Sequence, residues 1–398
     1  MISISNLILD DELVTIDHVK ALAFNRAASS TGATEAIEYI EKELAKEKID
    51  SKIEYFSWAG PTRVLMRTAY LIILMYLLLS RLILIVVIYF VIKYLFERTR
   101  TMTLIKKENS KNIIAEIPAN QEGKYRPLVI LSAHYDSISA NIPYRIQVLT
   151  FFLYRIIIGF YVMVIIIFSA WLTLDYLAIF IIPDNVIIII ALLSVVGIII
   201  SIPILYLVFN EKPSSGSIDN ASGVSILIEL AKLFKRNPLE KIDILFIWPG
   251  AEEWGMKGSR KFCQRHFLAI NQRYDLNRSI NVNIDMVGSY IGLVDRVGLF
   301  KKRLNKNIND VVEATAKNLN IPLTRYNKFI QPKSDHRSFR SFAKKAAKRL
   351  QIVYFHSSKD TKYIHSTRDT PDKCSTKSLN GCLNICYQTL RSIDLRVD

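Results

Sequence analysis

Cysteine is scarce, with four residues in 398. That excludes a disulfide-stapled scaffold and leaves any bound metal to His, Asp and Glu. A basic leader is also missing: residues 1–12 are acidic and do not read as a secretory signal peptide. The chain shows no nucleic-acid motif, no internal repeat and no low-complexity tract outside its apolar runs. Low apolar content, the mark of a disordered chain, is absent too, since hydrophobic residues make up 51%. Yet 22% of residues are charged and the formal net charge is +16. A basic balance suits nucleic acid or an anionic membrane surface. With no nucleic-acid motif and the runs described next, the lipid bilayer is the expected partner.

Three apolar runs stand out. Residues 64–96 are interrupted by Ser80 and Arg81, 156–174 lie between Arg155 and Asp175, and 186–209 carry Pro203 near their end. A spanning helix needs about 20 apolar residues, so the second and third runs qualify on length. Outside 62–98 and 145–210, about 295 residues remain. They alternate strand-like runs (112–117, 127–133, 242–248, 280–286, 351–355) with helical stretches (224–235, 307–318, 337–349). Ile37, Ile40 and Leu44 add a helical stripe. Such alternation predicts an α/β fold with a mostly parallel central sheet and helices on both faces.

Parallel sheets place functional groups at the carboxyl ends of their strands. Those ends carry His134 and Asp136, then Glu252 and Glu253, then Asp285, while Asp219 precedes a helix and His365 follows the last strand. Such donors fit Zn²⁺, Co²⁺ or Mn²⁺. Two ions need a bridging carboxylate and terminal ligands on each side; this inventory suffices and leaves one carboxylate over as a base.

The segments Ala133-His134-Tyr135-Asp136-Ser137, Asp219-Asn220-Ala221-Ser222-Gly223, Ala251-Glu252-Glu253, Asn283-Ile284-Asp285-Met286-Val287-Gly288, Ser334-Asp335-His336 and His365-Ser366-Thr367 with Asp369-Thr370 come in a telling order. In these the chain resembles the co-catalytic di-zinc aminopeptidase family, which includes bacterial leucine aminopeptidases, glutamate carboxypeptidase and glutaminyl cyclase. The resemblance implies a zinc-peptidase-like fold and two divalent ions, with Zn²⁺ first and Co²⁺ or Mn²⁺ as alternatives. It implies that Asp219 bridges the ions, that Glu253 and His365 complete one site, and that His134 and Asp285 complete the other. Asp136 would steady His134 from behind. Glu252 would be the general base and His336 a contact of the tetrahedral intermediate. One departure is that a Tyr found just before the last His in some relatives is replaced by Ile364, with Tyr363 one residue earlier. His18, His266 and His356 fall in no motif and read as solvated or locally bonded. Cys382 and Cys386 read as small buried hydrophobes.

The apolar runs divide the chain, with the resemblance covering the remainder, into a catalytic domain in three parts, 1–61, 99–144 and 211–398, interrupted by membrane hairpins at 62–98 and 145–210. His134 and Asp219 must meet, so the segment between them has to return to the side it left; four transmembrane helices satisfy this. Basic residues flanking the runs then put the catalytic domain in the cytoplasm. The expectation is an integral, multi-pass, zinc-dependent exopeptidase acting on peptides, most simply as an aminopeptidase. Carboxypeptidase or glutaminyl cyclase-like activity and a non-catalytic receptor or scaffold are the alternatives. Oligomeric state is not legible.

Overall fold

The computed structural model describes residues 14–58, 108–139, 143–176, 213–329 and 333–397, with isolated positions between 73 and 199. Two units emerge, one of residues 1–58, 109–139 and 212–398, the other of residues 59–108 and 140–211. In the second, the described helix is α3 (Tyr144–Tyr176). The first begins with α1 (Thr15–Ala21), α2 (Thr31–Ala45), β1 (Ser51–Trp58), β2 (Glu108–Ile117) and β3 (Leu128–Ser132). After α3 it resumes with α4 (Ser222–Arg236), β4 (Asp243–Trp248), α5 (Lys257–Arg273), β5 (Ile280–Ile284), β6 (Gly292–Val297) and β7 (Lys302–Arg303). It closes with α6 (Ile308–Asn318), β8 (Thr324–Lys328), α7 (His336–Lys345), β9 (Gln351–Phe355) and α8 (Thr376–Asp394).

Local chemistry explains the helix starts. Ser30 caps α2 by accepting from the Ala33 amide at 3.1 Å, and Ser375 caps α8 by accepting from the Ser378 amide at 3.3 Å. A side-chain oxygen at that position satisfies an otherwise unpaired amide. In α2, Ala36, Ile37, Ile40 and Leu44 form the buried stripe expected from their spacing.

The sheet runs β1-β2-β4-β3-β5-β9-β6-β7, with β8 paired to β6. Its centre is parallel: β4 with β3, β3 with β5 and β5 with β9. Every residue of these four strands is buried, as befits strands covered on both faces. Leu128, Ile130, Leu245, Ile247, Ile352 and Tyr354 alternate onto one face and pack with Phe262 and Phe267 of α5 and Phe339 of α7. Residues between them point to the opposite face, where α4 crosses β4 and β5 and is itself packed by α1, α2 and α8. The flanks differ from the expected mostly parallel sheet: β2 pairs β4, and β6 pairs β9 and β7, in antiparallel fashion. β3 lies between β4 and β5 although it precedes both. The strand order therefore reverses beside it, which is where an open α/β sheet leaves a crevice at its carboxyl edge.

The expected integral, multi-pass membrane protein is overturned. Among the described residues no helix is long and apolar enough to cross a membrane. The bilayer partner finds no support, and the cytoplasmic orientation argued from flanking charge falls with it. Nearly all of 62–98 and most of 177–210 lie outside the described residues, whereas 156–174 falls within α3. Run length measures how much apolar surface a segment carries and does not by itself say what meets it; Ile156, Met163 and Ile167 of α3 are exposed.

Candidate metal centre

The chain leaving β3 is extended. Tyr135 N donates to Pro249 O at 3.2 Å and the Tyr135 hydroxyl donates to Lys111 O at 2.8 Å, so this segment is fixed against the end of β4. His134 is thereby turned into the crevice. Its Nε2 lies 3.2 Å from Asp219 Oδ1 and 3.6 Å from Asp285 Oδ1. Its Nδ1 faces the backbone carbonyl of Asp136 at 3.1 Å, closer than that residue's carboxylate at 3.7 Å. A proton on Nδ1 leaves the Nε2 lone pair free for a metal.

The Asp136 carboxylate, fully buried, accepts from the amides of Glu252 at 2.9 Å and Glu253 at 3.2 Å. It ties the end of β3 to the loop after β4, while its Oδ1 also stands 3.7 Å from His134 Nδ1. Asp219 sits in the tight turn Ser217–Ala221 ahead of α4. That turn is held by Asp369, whose carboxylate accepts from the amides of Ile218 at 2.6 Å and Asp219 at 3.3 Å. Asn220 connects α4 to the end of β5: Oδ1 accepts from Gly223 N at 3.0 Å and Met286 N at 3.1 Å, and Nδ2 donates to Ile284 O at 2.8 Å. Gly223 is required by proximity, because a Cβ there would lie 2.4 Å from Ile284 O.

These supports bring two groups together around one shared residue: His134, Asp219 and Asp285; and Asp219, Glu253 and His365. Within each, the donor atoms lie within 4.8 Å of one another. His365 Nε2 lies 3.1 Å from Glu253 Oε2 and 3.3 Å from Asp219 Oδ2. The Tyr354 hydroxyl donates to Asp285 Oδ2 at 3.2 Å, and His356 Nδ1 faces Asp285 O at 3.2 Å. Glu253 Oε1 is buried with no hydrogen-bond partner among the described residues. Such an oxygen is expensive unless a cation or donor meets it. Three carboxylates converging on two imidazoles fit divalent cations, with zinc favoured by the mixed N and O donors.

Charge crowding appears in the titration of the group. Burial would raise the Asp219 carboxyl, but hydrogen bonds from His134 and His365 hold it well below the usual range. Burial would lower His365, but the Glu253 and Asp219 carboxylates push it up to about 10. Burial raises Glu253 to about 7, against the pull of His365. Glu252 belongs to neither group; burial raises it well above the carboxylate range, with His134 opposing and Asp335, Glu253 and Asp285 adding to the shift.

His336 is fully buried at the start of α7, its ring 4.4 Å from that of Tyr354. Neither ring nitrogen has a hydrogen-bond partner among the described residues. Burial, with Arg337 and Arg340 nearby, lowers it to about 3, so the ring is neutral. The structure thus places His336 behind Tyr354 rather than in either group. Ile364 is buried, and Tyr363 faces Lys362, Arg368 and Lys373. Sequence reasoning missed Arg26, Asp369 and His356; only Asp369 lay in a recognised motif. His18 is not solvated: it bonds Tyr39 at 2.6 Å and Glu229 at 2.9 Å.

Residues 194–390 match the family model described as Peptidase family M28. A stretch of 77 residues, 19% of this chain, is 42% identical to Aminopeptidase YwaD of Bacillus subtilis (strain 168). That stretch spans 16% of the relative's length. An aminopeptidase from Aneurinibacillus sp. strain AM-1 has a similar structure, with a TM-score of 0.56, 14% identity, and 94% of this chain and 92% of that one covered. A zinc aminopeptidase from Bacillus subtilis gives 0.55 and 13%, covering 96% and 95%. A Bacteroides thetaiotaomicron glutaminyl cyclase bound to N-acetylhistamine gives 0.56 and 14%, covering 97% and 98%. At these identities the solved structures show a common fold. The family match and the aminopeptidase relative support a metallopeptidase hydrolase that uses a divalent metal.

Proposed function

We propose that this chain, with its Peptidase family M28 match over residues 194–390, is a zinc-dependent aminopeptidase that removes N-terminal residues from peptides. The observation that carries the proposal is the pair of three-residue groups sharing Asp219, with the buried carboxyl of Glu252 left outside both. Asp219, common to both groups, would serve both ions, with His134 and Asp285 holding one and Glu253 and His365 the other. When bound, the ions would polarise the scissile carbonyl and acidify the attacking water.

The residues of the chain do the rest. Glu252 takes the proton of the attacking water and hands it to the leaving amine. The base works best when its affinity for a proton lies near the operating pH, and burial moves Glu252 upward from the ordinary carboxylate range. Asp136 fixes both glutamates by their backbone, so the base and one ligand move together. Asp369 does the same for Asp219. Tyr363, turned toward basic side chains, does not serve as an oxyanion donor.

The test combines metal analysis with digestion of an unbiased peptide library. Two ions per chain and release of single N-terminal residues are expected. Glu252→Gln should keep both ions and lose about 10²–10⁴-fold in kcat. Release of C-terminal residues, cyclisation of N-terminal glutamine without hydrolysis, or undiminished turnover in Glu252→Gln would each end this reading.

A further inference from the structure

Arg26 lies in the loop between α1 and α2 and is fully buried. Its guanidinium donates through Nε to Tyr135 O at 2.8 Å, through Nη1 to Ser215 O at 2.8 Å and Phe24 O at 3.1 Å, and through Nη2 to Gly216 O at 2.9 Å. Nη1 also donates to Leu22 O. The backbone adds a second link: Arg26 N donates to Ser137 Oγ at 3.0 Å, and Ser137 N donates to Arg26 O at 3.2 Å.

Two features set this residue apart. First, the side chain's partners are all carbonyls, and among the described residues no carboxylate pairs with it directly. A buried charge usually has such a partner. Its counter-charges stand further off, on Asp369, Asp136, Asp219 and Glu253, the acidic residues of the site and its supports. Second, the carbonyls belong to segments that carry ligands. Tyr135 separates His134 from Asp136, and Ser215 and Gly216 lead into the turn that presents Asp219. Gly216 takes a left-handed φ of 59°, and a Cβ there would lie 2.8 Å from Arg26 Nη2. The turn is therefore shaped around the guanidinium.

We propose that Arg26 is a positioning residue of the metal centre: its planar fork sets the span between the His134 segment and the Asp219 turn, and so the geometry in which the shared Asp219 meets both groups. The inference rests on the two-ion reading above. Lysine keeps the charge but cannot donate to three separated segments from one rigid plane, so charge alone does not restore the span.

The test uses the full-length, metal-free protein titrated with Co²⁺, whose visible absorption reports coordination geometry. Arg26→Lys and Arg26→Met should both bind Co²⁺ about tenfold or more weakly, as loss of an outer support typically does, and both should change the shape of the absorption bands. Lys232→Met, which breaks a buried ion pair between α2 and α4 and another within α4, is the stability control; it should lower the melting temperature and leave Co²⁺ affinity and spectrum intact. If the Arg26 variants do not fold, Ser137→Ala carries the test, with weakened Co²⁺ binding expected. Co²⁺ affinity within about twofold of wild type in the folded Arg26 variants, or failing those in Ser137→Ala, overturns the proposal, because a positioning residue should cost more. So does an equal loss in Lys232→Met. Absence of Co²⁺ binding by the wild type would instead sink the two-ion reading.

Discussion

Replacing Asp136 with Asn separates two tasks that one carboxylate could perform. If it acted through His134, the substitution would disturb the imidazole. In the structure His134 Nδ1 instead faces the Asp136 carbonyl, which the substitution keeps. What Asp136→Asn removes is an acceptor for two amides, those of Glu252 and Glu253. Asn offers one oxygen and turns an NH₂ group toward the other amide. Each charge-assisted bond contributes about 1.5–3 kcal/mol, and a buried amide left without an acceptor costs about 1–3 kcal/mol. A net loss of about 2–3 kcal/mol corresponds to about 30–150-fold in an equilibrium constant. Because Glu253 is a proposed ligand and Glu252 the proposed base, the loss should divide between metal affinity and kcat. Zinc affinity from chelator competition should fall about 10–100-fold, and kcat at saturating zinc should fall as well. Zinc binding and kcat both within about twofold of wild type would refute the reasoning, since a supporting carboxylate of this kind normally costs more.

Lys232→Met leaves Glu43 and Glu229 buried without the ammonium that lies 2.9 Å from each. Lys46 and His18 still serve them, so the cost should fall at the low end for a broken buried pair, about 3 kcal/mol, or about 4–5 °C in melting temperature for a unit of this size. Hydrogen bonds from Lys46, Lys232 and His18 depress both carboxyls below 4.5 against the opposing effect of burial. Their stabilisation is thus present above pH 4.5 and lost as pH falls below it; the gap between wild type and variant in melts across pH should close in the acid range. Gly223→Ala drives a Cβ into Ile284 O and should cost about 1–3 kcal/mol or more, read as a lower melting temperature and weaker zinc binding. His336→Phe keeps a ring against Tyr354 and should retain kcat within about threefold, whereas a loss above about 100-fold would assign the imidazole to transition-state contact.

The five residues of the two groups were legible because a parallel sheet advertises its site at the carboxyl ends of its strands. His134 and Asp285 follow short apolar runs, and Glu253 follows another. Arg26 was not legible, because its bonds to Tyr135, Ser215 and Gly216 reach carbonyls more than a hundred residues away, which no local pattern records. β6 and β8 were missed for a simpler reason: Gly-Leu-Val-Asp-Arg-Val and Thr-Arg-Tyr-Asn-Lys lack clean alternation, and tertiary pairing overrides weak propensity. α5 escaped because Met256 precedes it in a left-handed conformation with no capping side chain. The apolar runs misled because length alone does not identify what covers them.

The donors lie on separate segments from residue 134 to residue 365, and His365 comes after every strand of the sheet. A chain still emerging from synthesis, or one cut between Asp285 and His365, holds at best the first group and lacks the His365 that completes the second. Hydrolytic competence is thus the last property such a molecule acquires and the first it forfeits.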